Sequence, residues 1–270
     1  MPELPEVETI VLELRPLIIG KTIGKVILSW PRTVEGNLDE FAPTLINKKI
    51  IRIERRGKYL CFYFDNGQCL TIHLRMTGKL IFMPDEKDKK YIRLTFEFTD
   101  LSSLYFVDVR KFGRMRLWSD TEPLLPRLGA EPLEEKIIFQ TLSNLKSRRA
   151  IKAVLLDQEI LAGVGNIYAD EVLFMAGIHP LTPANKISEQ QLQKLSRHLP
   201  QILNMAIRNK GTTISDYRRT DQSIGEYQFV LNVYGRTAEP CNKCQTPITR
   251  IRINSRSSHF CPKCQHKCLN

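Results

Sequence analysis

The period of apolar positions changes twice along this chain. Between Pro5 and Gly20, Val7, Ile10, Val11 and Leu14 recur at i, i+3, i+4 and i+7, the stripe of a helix with one buried face. Pro5 suits its first turn, and Glu6 and Glu8 lie at its positive end. From Thr22 to Trp118 the period drops to two. Strands are predicted at 25–29, 50–55, 59–64, 68–74, 79–83, 91–98, 104–108 and 114–118, with Asp65-Asn66-Gly67 as a hairpin turn. Eight short strands at this spacing predict a sandwich or barrel. Pro123, Pro126 and Pro132 then mark a linker.

Helical spacing returns at 136–144, at 148–156, and between Asn166 and Gly177. Ser188 and Gln191 form a capping box for a longer helix whose buried stripe is Leu192, Leu195, Leu199, Ile202 and Ala206. Pro200 lies inside that stripe and predicts a kink or a break. The expected class is α+β, with a β-sandwich at 1–118, a linker at 119–135, a helical domain at 136–230 and a cysteine hairpin at 231–270.

A chain of 270 residues has room for two domains. The sequence contains no apolar run long enough to span a bilayer and no basic stretch leading into an apolar core, so a cytoplasmic protein with no membrane partner is expected. The net charge of +11 points to a polyanionic partner. It is concentrated late, with eleven Lys/Arg against four Asp/Glu from Arg208 onward.

Seven cysteines fall into two groups. Cys61 and Cys69 lie in apolar runs and read as small buried hydrophobes. Cys241-x2-Cys244-x16-Cys261-x2-Cys264 has four-cysteine zinc spacing, with two thiolates on each of two tight turns. Four sulfur ligands leave no open coordination position, so one structural Zn²⁺ is expected. Cys268 is left over. Between the pairs, Ile248, Ile251 and Ile253 alternate with Arg250 and Arg252, which predicts a β-hairpin with Arg256 at its tip, suited to phosphate or groove contact.

The N-terminus offers chemistry of its own. If Met1 is trimmed, Pro2 presents a secondary amine, and α-amino groups titrate at roughly 7.7–8.0. Attack of that amine on a sugar C1′ yields an iminium, an electron sink that allows elimination of the neighbouring phosphate. Glu3 stands ready as proton donor or acceptor. The plainer alternative is that Pro2 and Pro5 only open a helix. A glycine turn, Gly163-Val164-Gly165, leads to Asn166 at a predicted N-cap, where free N–H groups bind phosphate. His73 reads as a satisfied core histidine.

Pro2-Glu3-Leu4-Pro5-Glu6-Val7-Glu8-Thr9, His73-Leu74-Arg75-Met76-Thr77-Gly78, the glycine turn ending in Asn166 and the four-cysteine hairpin occur in this order. Together they resemble the formamidopyrimidine-DNA glycosylase family over essentially the whole chain. The resemblance implies a helix–two-turn–helix and a bifunctional glycosylase/lyase of base excision repair. Such an enzyme excises oxidised purines from duplex DNA and cuts abasic sites by β,δ-elimination, acting as a monomer in a bacterial-type cytosol. It further implies Pro2 as Schiff-base nucleophile, Glu3 as acid/base, Glu6 as a second carboxylate near the sugar and Lys58 as an assisting lysine. Arg256 becomes the hairpin arginine of δ-elimination and phosphate binding, and Asn166 a phosphate contact. Met76, Arg110 and Phe112 become the residues that fill the gap left by an everted base, with Arg148 and Lys89 as further DNA contacts. The loop at 211–226 corresponds to the family segment over the extruded base. The family usually has glycine where this chain has Ser257. Two other readings are an endonuclease VIII-like enzyme for oxidised pyrimidines and a non-catalytic damage binder using the zinc hairpin alone.

Overall fold

Helix α1 (Leu4–Ile18) forms on the predicted stripe, with Leu4, Val7, Ile10, Val11, Leu14 and Ile18 buried. Its start is capped by the Glu3 N–H donating to Glu6 Oε2 at 2.8 Å. The helix packs on strand β3 (Ile50–Arg56). Arg55 Nε donates to Glu8 at 2.7 Å and Arg15 Nε to the Ile53 carbonyl at 3.1 Å, so two arginines fasten helix to sheet. The computed structural model describes residues 1–119 and 128–266. Part of the expected linker, residues 120–127, and Cys268 lie outside them.

Strands β1 (Ile23–Leu28), β7 (Ile92–Phe98), β8 (Ser103–Asp108) and β6 (Gly78–Ile81) form a four-stranded sheet in that order. The second sheet has five strands: β2 (Val34–Glu35), β9 (Arg114–Trp118), β5 (Cys69–His73), β4 (Tyr59–Phe64) and β3. All the predicted strands are present, with ends displaced by about two residues at most, as strand ends usually are. Phe62, Leu70, Ile72, Phe96 and Phe106 meet the α1 stripe in one core, each such side chain contributing about 1.5–3 kcal/mol on burial. Cys61 and Cys69 are buried, as expected. Helix α2 (Leu38–Leu45) is a departure, since alternation was expected throughout this region. Asn37 caps it by accepting the Asp39 N–H at 3.1 Å, and Phe41 and Leu45 supply its buried side. A single turn, α3 (Glu86–Lys89), precedes β7.

The chain divides into two compact units, Met1–Pro126 with Asn209–Gln228, and Arg127–Arg208 with Phe229–Asn270. Residues 209–228 therefore pack with the strands, although periodicity groups them with the helices at 136–230. Two carboxylates of α1, described below, hold them there.

The second unit contains α4 (Glu135–Ser143), α5 (Ile151–Leu155), α6 (Asn166–Ala176) and α7 (Glu189–Arg208). Helix α6 stops at Gly177, whose φ of 69° gives the left-handed C-terminal turn. Of the kink or break expected at Pro200 there is no break, since helix α7 is continuous across it. Pro200 is buried beside Leu199, Ile202 and Leu203, and that packing offsets the lost hydrogen bond. Strands β10 (Thr249–Ile253) and β11 (Arg256–Phe260) form the predicted hairpin around an Asn254-Ser255 turn.

Candidate active site and nucleic-acid interface

In the first unit, Pro2 and Glu3 are buried at the start of α1. Glu6, also buried, accepts the Glu3 N–H on Oε2 and the Thr212 N–H on Oε1, each at 2.8 Å. Both oxygens thus face backbone donors, an arrangement that positions the N-terminus. Gly211 follows from this contact: its φ is +79°, and a Cβ there would lie 3.0 Å from Glu6 Oε1.

Lys58 is buried within the β3–β4 turn, beside Gly57 with a φ of 56°. Register places Tyr59 opposite His73, and the two rings meet edge to face at 4.6 Å. His73 Nδ1 accepts the Arg75 N–H at 3.0 Å. Burial above all, then the charges of Arg75 and Lys58, pull the imidazole down to about 3. His73 is therefore neutral near pH 7 and fits the role of a core histidine.

Met76, Arg110 and Phe112 are all exposed, and the Arg110 guanidinium lies 4.9 Å from the Phe112 ring centroid. One buried carboxylate joins the two turns that carry them. Asp108 Oδ1 accepts the Arg110 N–H at 3.1 Å and the Thr77 hydroxyl, and Oδ2 accepts the Gly113 N–H at 2.7 Å. The Arg110 N–H also reaches Thr77 Oγ1 at 3.1 Å. Between the exposed pair, Lys111 turns its ammonium onto the Trp30 ring at 3.9 Å. Sequence reasoning missed Asp108. The available signal was an Asp ending an apolar strand just before a turn, where Asx side chains hydrogen-bond backbone two residues on. Lys89 is exposed and paired with Glu86 at 2.5 Å.

In the second unit, Asn166 is the first residue of α6 and Gly165 the N-cap, a one-residue correction to the expected cap. Asn166 Oδ1 is buried with no hydrogen-bond partner among the described residues. Gln158 staples the preceding turn, accepting the Gly163 N–H at 2.9 Å and donating to the Val164 carbonyl at 2.8 Å. Arg148 is exposed, as is Arg256 at the start of β11. Ser257 pairs with Arg252 in register and is not among the positive-φ residues, so this hairpin does not require the family's glycine there. Sequence reasoning also missed Lys152, a fully buried lysine that donates to the Ser257 carbonyl at 2.8 Å.

The four hairpin cysteines bring their Sγ atoms within 4.8 Å of one another. The separations are 3.9 Å for Cys241–Cys264, 3.4 Å for Cys244–Cys261 and 3.5 Å for Cys244–Cys264. A tetrahedron with Zn–S bonds of about 2.3 Å has edges of about 3.8 Å, so the thiols fit zinc. The Lys243 and Cys264 N–H groups point at Cys241 and Cys261 Sγ at 3.4 Å, the tight-turn geometry that stabilises thiolates. The fully ligated set makes the ion structural.

Residues 1–115 match the formamidopyrimidine-DNA glycosylase N-terminal domain, 128–218 its H2TH domain, and 238–267 the zinc finger found in FPG and IleRS. The formamidopyrimidine-DNA glycosylase of Ligilactobacillus salivarius is 46% identical over 98% of this chain and 99% of its own. A Lactococcus lactis Fpg solved in complex with abasic-site DNA superposes with a TM-score of 0.88 at 38% identity, covering 98% of this chain and 100% of that one. The MutM (FPG) protein of Thermus thermophilus gives the same TM-score and identity, covering 99% of this chain and 100% of its own. Sequence, domain order and fold agree along the whole length: this chain belongs to the formamidopyrimidine-DNA glycosylase family.

Proposed function

We propose that this protein excises oxidised purines, 8-oxoguanine and formamidopyrimidines, from duplex DNA and then cleaves the strand as an abasic-site lyase. The observation that carries this reading is the Asp108 carboxylate, which holds together the turns bearing Met76, Arg110 and Phe112. Chemistry at C1′ is blocked inside a stacked duplex, so the nucleotide must be turned out. The vacated space takes an apolar wedge and a cation, which these exposed side chains supply.

After removal of Met1, the Pro2 nitrogen attacks C1′ and the base departs with the glycosidic electron pair, protonated as it leaves. Ring opening produces the iminium, with Glu3 managing protons at the sugar. Loss of a C2′ proton then expels the 3′ phosphate, and a second elimination expels the 5′ phosphate. Lys58 assists beside the lesion. Arg256, Asn166, Arg148 and Lys89 hold phosphates, which position the duplex without reading sequence. Zinc holds the hairpin that presents Arg256. The protein acts as a monomer in the bacterial cytoplasm; among the described residues no helix is long and apolar enough to cross a membrane.

Borohydride reduction on abasic-site duplex tests the nucleophile. A covalent adduct is expected, and residues added ahead of Pro2 should abolish it, because the nitrogen becomes an amide. Undiminished trapping by the extended protein rules Pro2 out. A duplex panel with one oxidised base each tests the substrate class, with preferential cutting at 8-oxoguanine expected over oxidised pyrimidines.

A further inference from the structure

The loop at 211–226 is closed at its neck, and beyond it Tyr217 reaches into the core of the strands. The Asn209 carbonyl accepts the Glu226 N–H at 2.8 Å, Gly211 O accepts the Tyr227 N–H at 3.1 Å, and Thr213 Oγ1 accepts the Gly225 N–H at 2.9 Å. A Cβ on Gly225 would fall 2.1 Å from Gly211 O, so the strands of the neck touch only because that position is glycine. Past the neck, two cavities adjoin the loop. One of about 480 Å³ is bounded by Leu17, Phe82, Met83 and Thr220. The other, about 220 Å³, lies between Ser215, Asp216 and Arg218 of the loop and Thr77, Lys79 and Val109.

Polar tethers fasten the turn that follows Tyr217. Glu13 Oε1 accepts Arg219 Nε at 2.5 Å, and Glu13 Oε2 accepts the Thr220 N–H at 3.1 Å and its hydroxyl at 2.9 Å. Gln222 adds bonds to Met83 O and Asp85 Oδ1, both at 2.9 Å. Glu13 stands two helical turns beyond Glu6, which takes the Thr212 N–H. The helix that begins beside Pro2 and Glu3 therefore grips this loop at two points.

We propose that Glu13 is a positioning residue that sets the 211–226 loop against the site and thereby controls damaged-base excision, not strand cleavage. The inference rests on the glycosylase reading above. Thr77 and Val109, next in sequence to Met76 and Arg110, line the smaller cavity together with Ser215, Asp216 and Arg218 of the loop, so loop and plug turns border one space into which a turned-out base would fit. A preformed abasic site has no base to hold there. Glu13 directs three charge-assisted bonds at two consecutive loop residues, and these tie the turn after Tyr217 to α1 while Tyr217 itself is anchored in the core.

The test compares full-length, zinc-loaded protein on duplexes carrying 8-oxoguanine or a preformed abasic site. Glu13→Ala should lower kcat for excision about tenfold or more, since it removes three charge-assisted bonds and even one is worth about that factor. Cleavage of the abasic duplex should stay within about twofold of wild type. Glu13→Gln, which can still accept from Thr220, should fall between. Arg219→Ala should lose part of what Glu13→Ala loses, since the Thr220 bonds remain, and the double variant should be no worse than Glu13→Ala alone, because one clamp has been opened. Trypsin should cut after Arg218 faster in Glu13→Ala than in wild type. Equal losses on the two duplexes, additive effects, or wild-type excision by Glu13→Ala would overturn the inference. A wild-type protein inactive on both duplexes would instead overturn the glycosylase reading on which it rests.

Discussion

Lys152 Nζ lies 2.6 Å from Asp170 Oδ1 with neither side chain exposed to solvent. The pair joins α5 to α6, and each partner also reaches the zinc hairpin. Lys152 donates to the Ser257 carbonyl, while Asp170 Oδ2 accepts the His259 N–H at 2.9 Å. On the same helix Glu171, fully buried, accepts the Val233 and Tyr234 N–H groups at 2.9 and 3.0 Å. Consecutive carboxylates of α6 thus fasten the segment before the first metal knuckle and the strand that leads into the second.

Breaking that pair from one side should be costly, because a buried charge is left uncompensated. Lys152→Met is expected to destabilise the protein by about 3–5 kcal/mol. Lys152→Met combined with Asp170→Asn should recover part of the loss, since no net charge is then stranded. Thermal or denaturant unfolding of the single and double variants checks this, and a double variant no better than the single contradicts it.

Glu3→Gln keeps the side-chain shape but cannot ionise. Base loss needs charge stabilisation and proton management at the sugar, and a positioned acid–base contributes about 10²–10⁴-fold. Excision of 8-oxoguanine should therefore fall by at least about 10², while abasic-site cleavage and borohydride trapping remain measurable. Near wild-type excision would leave Glu3 only a helix-start carboxylate.

Zinc and Arg256 should separate cleanly. Cys244→Ser removes one of four ligands and should lose metal and duplex affinity together, because such sites supply folding free energy to their module. The β-sheet unit, with its own core, should stay folded. Arg256→Ala should retain the metal yet bind more weakly, with log K falling less steeply against log salt by about one phosphate contact. Metal analysis and a salt titration of binding decide, and metal-free wild-type protein would refute both statements.

His73 gives the fold a pH dependence whose sign follows from its lowered pKa, about 3 against an ordinary value of 6.5. Above about 6.5 the imidazole is neutral folded or unfolded, and burial carries no ionisation cost. Below that, the unfolded chain takes up a proton that the folded one refuses. Stability is then lost at up to about 1.4 kcal/mol per pH unit until pH about 3. His73→Asn should flatten this window in urea unfolding from pH 7 to pH 4. Identical slopes in both proteins would show that His73 contributes nothing to it.

Elements whose signals are local can be read from the chain alone. The α1 stripe, the strand alternation, the Cys241–Cys264 spacing and the Gly177 stop depend on neighbours within a few residues, and backbone sterics and side-chain period act at that range. The ordered motifs also pointed to the family. Folding settled what depends on partners far away in the chain. Asp108 looks like an ordinary strand end until Thr77 arrives on a different turn. Lys152 reads as one more basic residue until Asp170 and Ser257 enclose it. Pro200 reads as a helix breaker until its buried neighbours outweigh the missing bond. Residues 209–228 follow a helix in sequence, yet they belong with the sheets because Glu6 and Glu13 bond to them across some 200 residues of chain. A hydrogen bond between such distant groups leaves no period in either segment, so no pattern along the chain could reveal it.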